Sequence, residues 1–158
     1  MKIGGANLQK VFEDYLTELQ ADIVAICLEY VENQADDIYI YCSYEPEIYA
    51  FDVFYKINGK VVLKNNVNDA VGKEKFYDTS EVRQEAVLDI GIKNLEEIHK
   101  KCIEFGREMP TEIKLHYNVK QNSLKGHYRY DLIYSNDDEL LPDDIFDQWY
   151  EEVKKDSQ

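Results

Sequence analysis

The chain has 158 residues, with 32 Asp and Glu against 18 Lys and Arg and a formal net charge of −14. That length suits one domain, residues 1–158, which can bury a core without metals or disulfides. The charge weighs against nucleic acid as a direct ligand, because gripping a phosphate backbone rests on Lys and Arg displacing counterions, and it points to a basic protein or a cation.

From Asn7 to Gln20, Leu8, Val11, Phe12, Tyr15, Leu16 and Leu19 recur at helical spacing, which predicts a helix with Asn7 as its N-cap. Ile23 to Val31 is rich in β-branched residues and reads as a first strand, closed by the polar turn Glu32 to Asp37. Ile38 to Tyr44 alternates as a second strand, and a turn at Glu45-Pro46-Glu47 leads into a third over Ile48 to Ile57. Asn58-Gly59 predicts a type I′ hairpin into Lys60 to Lys64, since both central positions of that turn need positive φ. Connections this short exclude parallel crossovers, so these strands are expected to form an antiparallel meander. Asn65 to Tyr77 reads as a loop with room for one short helical turn.

Asp78-Thr79-Ser80 offers N-caps for a long helix whose apolar face includes Val82, Val87, Leu95, Ile98 and Cys102, ending at Gly106. Gly91 inside it costs about 1 kcal/mol of helix propensity relative to Ala. After Pro110, Ile113 to Val119 and Leu124 to Leu132 alternate as a hairpin. A two-residue turn at Gln121-Asn122 would pair Leu115 with Tyr128 and Ile113 with Tyr130 on the inward face, and Lys114 with Arg129 and His116 with His127 on the outward one. Pro142 then opens a short acidic helix, with Asp143 and Asp144 in its first turn and Lys154 and Lys155 in its last, matching the helix dipole at both ends. The expected fold is α+β: an antiparallel sheet of about six strands, an N-terminal helix and a long central helix on one face, and a short C-terminal acidic helix.

Met1 to Asn7 lacks the basic-then-apolar order of a signal peptide, and no apolar run approaches bilayer thickness, so the expectation is a cytoplasmic protein without a membrane partner. Cys27, Cys42 and Cys102 form no CxxC pair and read as small buried hydrophobes. Phosphate-binding glycine loops, HxH, HExxH and a nucleophile elbow are absent from the sequence. Asn136-Asp137-Asp138-Glu139 lacks the spacing of a calcium loop. No catalytic residue, metal site or cofactor is therefore expected. His116 and His127 are the one pair that an enzymatic reading could use, and His99 reads as a surface residue.

The densest signal lies in the last third. Asp137, Asp138, Glu139, Asp143, Asp144 and Asp147 are threaded with Leu141, Phe146, Trp149 and Tyr150, which reads as an acidic surface carrying apolar anchors for a partner. The basic outward face of the hairpin, Lys114, Lys125 and Arg129, competes as an intramolecular partner for that acid.

The layout resembles the YezG-like family of bacterial antitoxin and immunity proteins. The resemblance rests on the opening amphipathic helix, the strands around Ile38 to Ile57, and the helix end Lys100-Lys101-Cys102-Ile103-Glu104-Phe105-Gly106. It continues through the Pro110 break and the strands Ile113-Lys114-Leu115-His116-Tyr117 and His127-Tyr128-Arg129-Tyr130-Asp131. The chain differs from the family in carrying Thr111 after the proline and in its Asp143-Asp144-Ile145-Phe146-Asp147 segment. The resemblance implies an immunity protein that neutralises a cognate toxin, a basic nuclease domain in the first instance, by direct binding. A non-catalytic adaptor domain is the alternative, and an enzyme using His116 and His127 the third.

Overall fold

A computed structural model describes residues 9–157. Helix α1 spans Phe12–Tyr30. Asp14 starts it by accepting a hydrogen bond from the Val11 N–H at 3.0 Å; the expected cap at Asn7 lies outside the described residues. Strands β1 (Asp37–Tyr44), β2 (Tyr49–Ile57) and β3 (Lys60–Leu63) follow, then a 3-10 segment over Lys64–Ala70 and helix α2 over Glu81–Glu104. Strands β4 (Glu112–Asn118) and β5 (Ser123–Arg129) and helix α3 (Pro142–Asp156) complete the chain. The five strands form one sheet in the order β3-β2-β1-β4-β5, antiparallel at every pairing.

The expected strand over Ile23 to Val31 is instead the second half of α1, which lowers the strand count to five. Ile23, Val24, Cys27, Tyr30 and Val31 are all buried, at spacings of a helical face. Burial of that face decides the conformation, because β-branched preference is a weak term beside tertiary packing. The Asn58-Gly59 hairpin is present, with φ of 52° and 81° at its two residues. Ser80 caps α2 by accepting from the Arg83 N–H at 3.3 Å, and Gly106 closes it with φ of 64°.

The β4–β5 hairpin has its turn earlier than expected. Val119 to Asn122 form a four-residue loop between the paired Asn118 and Ser123. Asn118 accepts the Gln121 N–H at 2.8 Å, the Asn122 N–H reaches the Val119 carbonyl at 3.2 Å, and Asn122 takes φ of 49°. Every partner moves by two residues: Ile113 faces Tyr128, Leu115 faces Gly126, His116 faces Lys125 and Lys114 faces His127. A shift of two preserves which side chains share a face, so the inward and outward sets survive while the His116–His127 pairing does not.

Both sides of the sheet are covered over β1 and β2. Ile38, Ile40 and Cys42 of β1 point into a core with Ile23, Cys27, Leu95 and Ile98 from α1 and α2. On the other side Tyr39, Tyr41 and Phe54 pack with Val61, Ile145 and Phe146 beneath α3. Phe54 is the centre of this second core, stacked on Tyr39 at 4.7 Å and met edge-on by Phe146, Trp149 and Tyr150 at 5.7, 5.1 and 5.4 Å between centroids. Pairs of this kind contribute about 0.5–1.5 kcal/mol each beyond simple burial.

Gly91 has a packing role that helix propensity hides. It is buried where α2 crosses β2, and a Cβ there would run into the Phe51 ring. Gly91→Ala is therefore expected to destabilise the fold by about 1–3 kcal/mol through overpacking, outweighing the propensity gain of about 1 kcal/mol. Urea unfolding with α2 helicity as the probe measures the sign; a stabilised variant would mean that Phe51 moves aside freely.

Candidate functional site

The acidic C-terminal region is positioned by a buried carboxylate. Glu45 follows β1 in the turn whose Glu47 takes φ of 63°, and its side chain is only 1% exposed. Glu45 Oε1 accepts from the backbone N–H groups of Ile133, Tyr134 and Ser135 at 2.8, 3.2 and 3.1 Å and from the Ser135 hydroxyl at 2.8 Å. Three consecutive amides converging on one oxygen make an anion cradle. The Tyr134 and Ser43 hydroxyls add a buried hydrogen bond at 3.1 Å. These contacts tie the strap after β5 down onto the sheet, and the chain leaves the strap towards α3.

Two further acids serve the backbone beyond the strap. Asp137 accepts from the Glu139 and Leu140 N–H groups at 2.8 and 3.2 Å. Asp144 accepts from the Leu141 N–H at 2.9 Å, so it helps start α3 alongside Pro142 at the first turn. The apolar side of α3 then points inwards. Phe146 is 5% exposed, and Trp149 and Tyr150 are half-buried against Tyr39 and Phe54. The anchors expected at Phe146, Trp149 and Tyr150 are thus engaged by the protein's own sheet. Leu141 is the exception, 61% exposed at the start of the helix.

What remains outside is charge. Asp143, Asp147 and Glu151 recur every four residues along α3, exposed in a single stripe, with Asp138 and Glu139 exposed just ahead of it. Among the described residues, none of the carboxylates from Asp137 to Asp156 forms a salt bridge. Of the expected competitors, Arg129 pairs with Asp131 at 2.6 Å and Lys114 lies 3.7 Å from Glu112 and over the Trp149 ring, while Lys125 forms no salt bridge among the described residues. Partial burial, then the fields of Asp143, Asp144, Asp52 and Glu151, push the Asp147 carboxyl above its usual range. Asp143 and Asp147 also line a cleft of about 210 Å³ against Asp52, Leu63 and Lys64, where Lys64 bridges Asp52 at 2.8 Å.

The histidines are differently employed. His116 Nε2 lies 2.8 Å from Asp37 Oδ1, and its ring stacks on Tyr39 at 4.4 Å. His127 is exposed opposite Lys114, so the facing pair required by an enzymatic reading is not formed. His99, expected at the surface, is half-buried with Nδ1 at 2.6 Å from the Tyr49 hydroxyl and Tyr44 against its ring. All three cysteines are free and buried, and burial pushes the Cys42 thiol up to about 12. Among the described residues no group of three or more His, Cys, Asp or Glu is placed to hold a metal ion. No helix there is long and apolar enough to cross a membrane.

Glu45 and Glu112 are the residues that sequence reading missed. A glutamate beside a proline in a turn looks like a solvated residue, and only the return of the strap over it makes it a clamp. Glu112, 3% exposed across from Ser43, is a second buried carboxyl, with Lys114 at 3.7 Å and no clamping hydrogen bonds among the described residues. No protein-family model matches the chain, and no curated protein matches its sequence.

Burial raises the Glu112 carboxyl above its usual range, with Lys114 and Arg129 opposing the shift and Glu45 reinforcing it. A carboxyl whose folded value is raised contributes stability below its unfolded value, and that contribution is lost as pH rises through the folded value. Glu112→Gln is therefore expected to be more stable than the parent chain at neutral pH. That advantage should shrink on acidification towards the ordinary carboxylate range, as thermal unfolding across pH would show. An advantage independent of pH would contradict the burial effect.

Proposed function

We propose that this chain is an immunity protein or antitoxin, a non-catalytic cytoplasmic protein that neutralises a basic toxin by covering it with the outward face of α3. The observation that carries this reading is the unpaired carboxylate stripe Asp143, Asp147 and Glu151, flanked by Asp138 and Glu139 and by the exposed Leu141. Like charges four residues apart cost a helix about 0.2–0.5 kcal/mol per pair. The helix dipole favours Asp143 in the first turn, but among the described residues neither Asp147 nor Glu151 gains a salt bridge, which leaves the stripe open to what approaches from outside.

A nuclease domain presents Lys and Arg to its phosphate substrate, and a rigid acidic helix competes for the same groups. A Lys or Arg of the toxin entering the Asp143–Asp147 cleft would meet both carboxylates and relieve their mutual repulsion. Leu141 replaces the inward-facing aromatics as the apolar contact at the centre of the acid. Asp144 contributes field but is held by its capping bond. The resemblance of the sequence layout to YezG-like proteins points in the same direction.

The test begins with affinity capture from the native host, followed by a nuclease assay of the captured partner with and without this chain. Inhibition supports the reading, and a partner devoid of toxicity favours the adaptor alternative. Against that partner, the Asp143→Asn and Asp147→Asn double variant should associate about tenfold more slowly at low salt, the scale of electrostatic steering. Its thermal stability should change little, because the repulsion relieved at Asp147 is set against the dipole interaction lost at Asp143. An unchanged association rate would remove α3 from the interface.

A further inference from the structure

The two edges of the sheet are treated in opposite ways. Edge strand β3 has four residues, its Val61 and Val62 are buried, and α3 and the 3-10 segment pack beside it. Edge strand β5 has seven residues, and every one from Leu124 to Arg129 is exposed. A long exposed edge presents a row of backbone N–H and C=O groups free to pair with another chain.

The side chains of β5 divide by face. Towards the α1 side lie Leu124, Gly126 and Tyr128, continued by Tyr130, and the three larger residues are between 38% and 49% exposed. The Tyr128 ring lies back over Gly126, where a Cβ would meet it, and its hydroxyl accepts from Gln20 Nε2 of α1 at 2.7 Å. Beside Tyr128 and Tyr130 a groove of about 330 Å³ opens between the start of α1 and the end of α2, with Phe12, Leu16, Ile98 and Pro110 in its walls. The other face of β5 carries Lys125, His127 and Arg129, of which Arg129 is held by Asp131 and Lys125 forms no salt bridge among the described residues.

We propose that the β5 edge is a docking site for an extended segment of a partner protein that alternates acidic and apolar residues. Such a strand adds to the sheet by backbone hydrogen bonds, lays its apolar side chains over Tyr128 and Tyr130 into the groove, and sets its carboxylates against Lys125 on the other face. A second copy of this chain is the poorer occupant. In an antiparallel self-pairing that keeps the tyrosines on one face, the Lys125 side chains of both copies share the other, and like charges across strands repel. This site lies apart from the acidic stripe of α3 and does not depend on the toxin-binding reading.

The probe is a synthetic strand-length peptide alternating Glu with Val, followed by amide chemical shifts of the full chain. Shifts confined to Leu124–Arg129 and the groove residues are expected. A peptide with Lys in place of Glu should bind far more weakly, and N-methylation of alternate peptide amides should abolish binding. Lys125→Glu, an exposed substitution, should leave the spectrum's dispersion intact and weaken binding about fivefold, the scale of one cross-strand charge pair. Several results would overturn the proposal: no shifts at β5, equal binding of the Lys peptide, or binding indifferent to N-methylation. So would a dimer in solution with β5 amides protected from exchange, which would assign the edge to a second copy. Disturbance of the β5 amides on removing residues 1–8 would assign the groove to the chain's own N-terminus.

Discussion

The hydrogen bonds that converge on Glu45 hold the second half of this architecture together. One buried oxygen takes three consecutive backbone amides and a hydroxyl, all from Ile133 to Ser135. Those amides belong to a connection that returns from the far edge of the sheet, and an acceptor on β1's own extension fixes where it crosses. Once the strap is fixed, the short run to Pro142 delivers α3 over β2 and β3, and Phe146, Trp149 and Tyr150 find Phe54. Removing the acceptor from buried hydrogen bonds typically costs about 1–3 kcal/mol for each donor left unsatisfied.

That geometry also sorts the C-terminal residues by task. The apolar and aromatic positions are consumed by the sheet, and Asp137 and Asp144 by the backbone around the helix start. Asp143, Asp147 and Glu151 have no such employment. The molecule therefore shows two surfaces of contrasting character: a rigid acidic helix over one side of β2 and β3, and a partly basic, partly aromatic strand at the opposite edge. Under the two proposals, opposite charge at the two places favours different partners rather than one partner wrapped around both.

Much of the fold is legible in the sequence where local chemistry and tertiary demand agree. Asn58-Gly59, Ser80, Gly106 and Pro142 each sit where only a few residue types fit, and each marks a boundary of the structure. Ile23 to Val31 shows the opposite case: its β-branched residues suggest a strand, but its buried positions keep the helical spacing of the residues before it. The hairpin register was readable only modulo two, since face alternation is set by the pattern and the exact partner by the Asn118 and Asn122 turn geometry. The second core was hidden because Tyr39, Tyr41 and Phe54 look like the half-exposed face of a one-sided sheet. The acidic stripe was visible as composition, yet its division into capping, packing and outward-facing residues needed the strap, whose acceptor lies nearly ninety positions earlier in the chain.

The dependence of α3 on the Glu45 clamp is most directly tested by native-state hydrogen exchange on the parent chain and on Glu45→Gln. In the parent the Ile133, Tyr134 and Ser135 amides should be protected to a degree comparable with the amides of α3. In Glu45→Gln both sets should lose protection together, while α1 and α2 keep theirs. If α3 stays protected when the strap amides open, the helix is held by its aromatic contacts alone and the clamp is not what positions it.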